Sequence, residues 1–431
     1  NLAAFIRFAS SFLILDAAFS ALTIATVIAL IGTQMWSYKT MRPRLPVGDE
    51  GDYIGGEERP LAGLLFIRVP GMAALAHLLG DPAQREARLR VFMASAGTLC
   101  AILVVTAALL IAGWGAAFIA AVLLLVLPER LVLNNHIWPD PLLAFSLAAI
   151  NLLLVVRIDP TVTAAGLGVL VLLSTITRID QLVLAIVVPV VFVMREAGTV
   201  MQLMLIVAPT IVALLACTCW NYYKRGVALP DNTWVFNLRI AEADTRTGQP
   251  GTRVQPLIHS VRAHWQPDVP LRAQQVRGTG RSIWRRRKAY VNGVVNRMWS
   301  LLGPDSFISE RLLLPQGSSY LALDGRELAF WRFILRYTFP ALVAMFLFGI
   351  LAGAQGVPLL LLPTVALFLA IVSFHSRTRF RIVLIPGLVL CTAITLPSAL
   401  TSLGQLSSLL AAACAITLAI YLVCRPARYE H

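Results

Sequence analysis

The sequence predicts an all-α polytopic membrane protein with about eleven transmembrane helices. Three observations predict it. Of 431 residues, 58% are hydrophobic and only 13% are charged, with a mean hydropathy of +0.76; a soluble domain carries roughly 25% charged residues. Apolar stretches near the length of about 20 residues needed to cross a bilayer recur along the chain. Only two long polar segments, 37–90 and 221–330, interrupt the series.

The elements follow in order. The first span covers residues 11–35, and it is too long and too poor in small cleavage-site residues to read as a signal peptide. The polar segment 37–90 holds two short amphipathic stretches, 61–79 and 82–90, suited to lying in the interface. Further spans are expected at 91–112, 114–128, 140–156, 162–177, 180–195 and 199–220. After the segment 221–330, four more are expected at 331–353, 357–374, 380–399 and 404–424. The chain therefore divides into a transmembrane module at 1–220, a large basic extramembrane loop at 221–330, and C-terminal helices at 331–431.

The net charge is +14, from 36 basic and 22 acidic residues, and of the basic ones only Lys39, Lys224 and Lys288 are lysine. That arginine bias suits a GC-rich bacterial genome and, with the spans, a bacterial plasma membrane. The run Arg285-Arg286-Arg287-Lys288 is flanked by Trp284, Tyr290 and Trp299, which suits the level of lipid headgroups. Membrane lipids are thus expected partners, and nucleic acid is not. Cys100, Cys217, Cys219, Cys391, Cys414 and Cys424 all fall in or beside apolar spans, as small core residues do. No phosphate-binding loop, dinucleotide fingerprint, serine nucleophile elbow or HExxH motif occurs, so neither ATP nor a nucleotide sugar is expected as a substrate.

Parity organises the polar residues. Seven spans precede the large segment and four follow it, so 37–90 and 221–330 emerge on the same side. The linkers at 129–141, 177–181 and 375–381 join them there. Charge asymmetry speaks weakly about which side that is, because long loops escape the positive-inside rule. Taken literally, the 375–381 arginines would make it cytoplasmic.

Five constellations share that side. Asp49-Glu50-Gly51-Asp52-Tyr53 sets three carboxylates at the mouth of an apolar bundle. Neighbouring carboxylates raise one another's pKa, which suits a general base, and their oxygens suit a divalent metal; a polar stop at a helix end is the plainer reading. Arg59 and Arg68, the latter in Arg68-Val69-Pro70-Gly71, could meet a phosphate or simply snorkel. Glu129-Arg130 and Asn134-Asn135-His136-Ile137-Trp138-Pro139-Asp140-Pro141 form a linker in which Asp140 is either an N-cap, with Pro141 in the first turn, or a second acidic element. Its His136 is as readily a satisfied polar residue as a ligand. Thr177-Arg178-Ile179-Asp180-Gln181 is either a short linker or the lining of a polar cavity. His375-Ser376-Arg377-Thr378-Arg379-Phe380-Arg381 is a phosphate cradle or an interfacial anchor.

In their order, these motifs resemble the GT-C membrane glycosyltransferases, particularly the branch holding the protein O-mannosyltransferases and the lipid A aminoarabinose transferase. The resemblance covers most of residues 10–390. It rests on Asp49-Glu50 with Tyr53, on Arg68-Val69-Pro70-Gly71, on Pro139-Asp140-Pro141-Leu142, on Thr177-Arg178-Ile179-Asp180 (which lacks the proline expected there), and on Arg379-Phe380-Arg381 with Pro386. The segment 221–330 resembles no domain of that family.

The resemblance implies transfer of a sugar from a polyprenyl-phosphate carrier to a glycan, lipid or protein acceptor on the outer side of the membrane. Asp49 is then the candidate base that deprotonates the acceptor, with Glu50 as second catalytic carboxylate. Asp52, Tyr53, Asp140 and Asp180 are candidate supporting or acceptor residues. Arg68, Arg178, Lys224, Arg225, Arg377, Arg379 and Arg381 are candidates for the leaving lipid phosphate. Direct attack implies inversion at the anomeric carbon. No cofactor is required, although a divalent metal fits the acidic pair. Competing readings are a glycan polymerase or ligase of another fold, which would not need the acidic group, and a scaffold of a cell-wall complex. A transporter or flippase is a third, but it would show internal repeats that this sequence lacks.

Overall fold

The computed structural model describes residues 2–41, 50–54, 69–196, 198–226, 228–231, 237–238, 240–242, 273–304, 308, 325–352, 358–374 and 378–424. Among these the protein is all helix, an α-helical polytopic membrane protein. Helix α1 is Leu2–Thr40, α2 Glu50–Ile54, α3 Gly71–Leu78, α4 Pro82–Val126 and α5 Pro128–Leu133. Helices α6 (Asp140–Val155), α7 (Pro160–Thr177), α8 (Leu184–Glu196) and α9 (Val200–Arg225) complete the first module. Within the large polar segment lie α10 (Ala273–Arg285) and α11 (Arg287–Leu302). The C-terminal set is α12 (Gly325–Leu351), α13 (Pro358–Phe374), α14 (Arg381–Thr401) and α15 (Leu406–Cys424).

Among the described residues, seven helices are long and apolar enough to cross a bilayer, and Asp140–Val155 and Leu359–Phe374 are shorter apolar helices. The expected boundary between the spans 91–112 and 114–128 falls inside α4, at Gly113, whose φ of 79° and ψ of −172° break the helix. Glycine is the residue that adopts this conformation without a Cβ penalty. The break is a reversal. Arg90 lies 23 residues before Gly113 (113 − 90) and Asn135 lies 22 after it (135 − 113), yet Arg90 Nη1 donates to Asn135 O at 3.0 Å. At 1.5 Å per residue, two collinear arms would hold them roughly 70 Å apart. The arms are therefore antiparallel, and their buried faces are largely alanine: Ala101, Ala107 and Ala108 on one, Ala116, Ala117, Ala120 and Ala121 on the other. Small residues allow the close helix approach that substitutes for hydrophobic driving force in lipid.

Two expectations need correction. The amphipathic stretch 82–90 is not a separate interfacial helix but the first turns of α4. Asp140 does not cap α6. Pro139 holds the cap position, no side chain caps the helix, and Asp140 is its first residue with Pro141 behind it. The cause appears in the next section: a buried cation competes for the carboxylate.

At the centre of the bundle is α14, buried without interruption from Arg381 to Ala393. It packs on α4, α6, α12 and α13, so its first residue is held among the ends of several helices. Gly71 does the same for the first loop. A Cβ there would stand 2.5 Å from the backbone oxygen of Ile176, in the last turn of α7. Gly71→Ala is therefore expected to push α3 off the turn that carries Arg178 and to lower the melting temperature in detergent by several degrees, about 1–3 kcal/mol. A thermal melt checks it.

Candidate functional site

The polar linkers that parity gathers on one side meet physically. The first anchor is Glu50, the opening residue of α2. Its carboxylate is fully buried, at 0% exposure. Arg90 offers Nη1 to Oε1 and Nη2 to Oε2, each at 3.3 Å, the Ile137 amide donates at 2.7 Å, and His136 Nδ1 lies 3.0 Å from Oε1. Arg90 also binds Glu86 and the Asn135 carbonyl. Arg85, one turn earlier on α4, donates to the Ile54 carbonyl at 3.0 Å. Two arginines of one helix thus seize α2 at both ends. Tyr53, 5% exposed, fills a small core with Met72, Ala76, Leu89, Met93, Ile137 and Leu142.

His136 is buried and stacks on Trp138, ring centroids 4.1 Å apart and 7° from parallel. Burial holds its imidazole below the ordinary range; the Glu50 carboxylate opposes that, and Arg90 and Arg379 add to it. The ring is neutral at pH 7, and Nδ1 faces a carboxylate, so Nδ1 carries the proton and donates. Nε2 is left as an acceptor.

The second anchor is Arg178, just past α7. Its Nη1 reaches Asp140 Oδ1 at 2.8 Å, its Nη2 reaches Asp180 Oδ2 at 2.6 Å, and Nε reaches Asp180 Oδ1 at 3.1 Å. Phe380 covers the guanidinium at 4.2 Å. Burial works against this charge, but Asp180, Asp140 and the nearby Tyr53 outweigh it and hold Arg178 above the ordinary arginine range. Two carboxylates to one cation leave a local surplus of negative charge. Among the described residues, Asp140 Oδ2 and Gln181 Oε1 are buried acceptors that meet no hydrogen-bond donor.

The third element opens α14. The Arg379 guanidinium, half-buried, lies 4.8 Å above the Trp138 ring and 5.1 Å from Phe380. Arg381 is wholly buried. It donates to the carbonyls of Leu301 (2.5 Å) and Gly303 at the end of α11, and its Nη1 stands 3.7 Å from Glu129. It is a strut between helix ends, not an open cation.

Of the remaining expected residues, Lys224 is exposed at the end of α9, its ammonium 5.3 Å from the Trp220 ring and 5.2 Å from Tyr223. Asp49, Arg68 and Arg377, with the side chains of Asp52 and Arg225, lie outside the described residues. Arg59 and His375 do too. Sequence reasoning missed Arg85 and Arg90, which read as the polar turns of an amphipathic stretch. It also missed Asp231, buried at 1%, whose carboxylate accepts from the Val69 amide at 3.1 Å. That bond ties the first loop to the start of the large segment, and no local pattern announces it.

The carboxylates of Glu50, Asp140 and Asp180 are paired with arginine, and among the described residues no group of three or more His, Cys, Asp or Glu is placed to hold a metal ion. The arrangement brings a buried carboxylate–imidazole pair and a half-buried guanidinium to the Trp138 ring.

No protein-family model matches the sequence, and no significant match is found among curated proteins. Among solved structures, the chain is similar to the archaeal oligosaccharyltransferase AglB from Archaeoglobus fulgidus, solved in complex with an inhibitory peptide and a dolichol-phosphate. The identity is 13% and the TM-score 0.44, over 95% of this chain and 56% of that one. This chain thus spans little more than half the length of that protein.

Proposed function

We propose that the protein is a membrane glycosyltransferase. It moves a sugar from a polyprenyl-phosphate carrier to a cell-envelope acceptor on the outer face of a bacterial plasma membrane. One observation carries this reading: Glu50, His136, Trp138, Arg178 and Arg379, from four separate linkers, converge at one end of an apolar bundle. A prenyl tail needs the lipid-facing flank of such a bundle, and an activated sugar phosphate needs no nucleotide site.

In this mechanism the acceptor hydroxyl attacks the anomeric carbon while its proton passes to Asp49, the residue before buried Glu50. The bond from the anomeric carbon to the phosphate oxygen breaks, and the polyprenyl phosphate leaves with the electron pair. Attack from the opposite face inverts the centre. Glu50 is a positioning residue, because its oxygens face Arg90, His136 and a backbone amide. Arg379 is the described cation best suited to the phosphate: it is half-buried, and its guanidinium stacks on the rings of Trp138 and Phe380. Arg178 and Arg381 hold the linkers that carry it.

The test is reconstituted protein with radiolabelled polyprenyl-phosphate sugars. The label is expected to leave the lipid for an envelope fraction, and Arg379→Ala should lower kcat/KM for the donor about 10²-fold with an unchanged melting temperature. If label from a panel of hexosyl and pentosyl carriers crosses the bilayer without leaving the lipid, the protein is a flippase instead.

A further inference from the structure

Helix α11 lies across the ends of transmembrane helices. Tyr290 Oη donates to the Ser373 carbonyl at 2.6 Å and Arg297 Nε to the Val372 carbonyl at 2.7 Å, both in the last turn of α13. Leu301 accepts from Arg381, the first residue of α14, at 2.5 Å. The Trp299 ring meets Tyr421, near the end of α15, edge-on at 5.3 Å. A helix running alongside α13 would descend its length. This one instead touches three neighbouring helix ends on the site's side, so it sits at the membrane surface.

The exposed residues of α10 and of the first turns of α11 are cationic and apolar together. Arg281, Arg285, Arg286, Arg287 and Lys288 are exposed, and no acidic residue occurs from 273 to 304. Trp284 is 72% exposed, Val291 56% and Val295 41%. The Arg287 guanidinium stands 5.9 Å from the Trp284 ring. Exposed tryptophan and valine at headgroup depth favour a lipid surface over water, and five exposed cations on a stretch without a carboxylate of its own favour an anionic one.

We infer that the junction of α10 and α11 is a binding surface for anionic phospholipid headgroups. Guanidinium takes the phosphodiester in two-point hydrogen bonds, and Trp284 sinks beside the glycerol backbone. Because α11 carries Leu301 and is followed by Gly303, which hold Arg381 two residues from Arg379, lipid seated here steadies the end of the bundle that holds the candidate site.

The experiment is native mass spectrometry of the full chain in a mild detergent, titrated with dioleoyl phosphatidylglycerol or dioleoyl phosphatidylcholine. The wild type is expected to retain phosphatidylglycerol about tenfold better. R281Q/R285Q/R286Q/R287Q should lose that preference with phosphatidylcholine retention unchanged, and the four Arg→Lys changes should keep it. Raising salt from about 0.05 to about 0.5 M should collapse the wild-type preference, a readout that needs no variant. A wild type without preference, a preference indifferent to salt, or one that survives the glutamine changes overturns the inference. So does loss in the lysine variant, which would mark a folding defect. Displacement of the lipid by millimolar inorganic phosphate, or by an anionic polysaccharide at lower concentration, also overturns it, since the surface would then be reading another ligand.

Discussion

Asp49→Asn is expected to abolish glycosyl transfer while leaving expression and donor binding near wild type. The change removes one proton acceptor and keeps size and polarity, so only a step that moves a proton should feel it. General-base catalysis contributes about 10²–10⁴-fold. A single-turnover measurement with radiolabelled carrier should fall by that factor, while retention of the unreacted carrier stays constant. Transfer at the wild-type rate would eliminate Asp49 as the base and return attention to His136, whose Nε2 is an acceptor in the neutral ring that Glu50 orients. The two outcomes point to different residues, so the experiment decides between them.

Glu50→Ala should have the largest effect on stability. The buried carboxylate receives two arginine N–H groups, a backbone amide and the imidazole. Removing one partner of a buried ion pair costs about 3–5 kcal/mol, and the partly exposed Glu86, 2.7 Å from Arg90, offsets only part of the lost compensation. It should appear as a melting temperature lowered well beyond that of Gly71→Ala. Transfer should fall with it, because α2 loses its hold on the 135–140 linker. A double change with Arg90→Leu should recover part of the stability, as the stranded charge is gone, but no activity. If Glu50→Ala melts like the wild type, the clamp has no energetic weight.

The same buried imidazole gives a pH dependence with a definite sign. Burial lowers the His136 pKa in the folded protein below the ordinary value of 6.5. The unfolded chain therefore takes up a proton near pH 6.5 while the folded one does not, and stability falls as the pH drops below that value. Histidine→Gln at 136 should flatten this acid limb in a melt recorded from pH 7.5 to 5.0.

Much of the architecture was legible because lipid imposes a strict rule. Every crossing segment must be a run of apolar helix, so run length alone located α1, both arms of α4, α6 to α9 and α12 to α15. Gly113 marked the division of α4, but the sequence could not show that the chain doubles back there; the bond between Arg90 and Asn135 shows it. Pro139-Asp140-Pro141 suggested a capped start to α6. A carboxylate at that position was equally able to cap a helix or neutralise a cation, and Arg178, 38 residues away, decided for the second.

By itself, the sequence determined the membrane helices, their parity and the gathering of the polar linkers on one side. Each of these depends on hydrophobicity summed over one contiguous stretch. Only the tertiary structure decided the partners: Glu50 with Arg90, His136 and Ile137, Arg178 with Asp140 and Asp180, Arg381 with Glu129 and the end of α11. Most of these partners stand some 40 to 250 residues apart in the chain. A buried charge in a medium of low dielectric is bound to whichever opposite charge or dipole the packing brings within reach, and that is a property of how linkers meet rather than of any one of them.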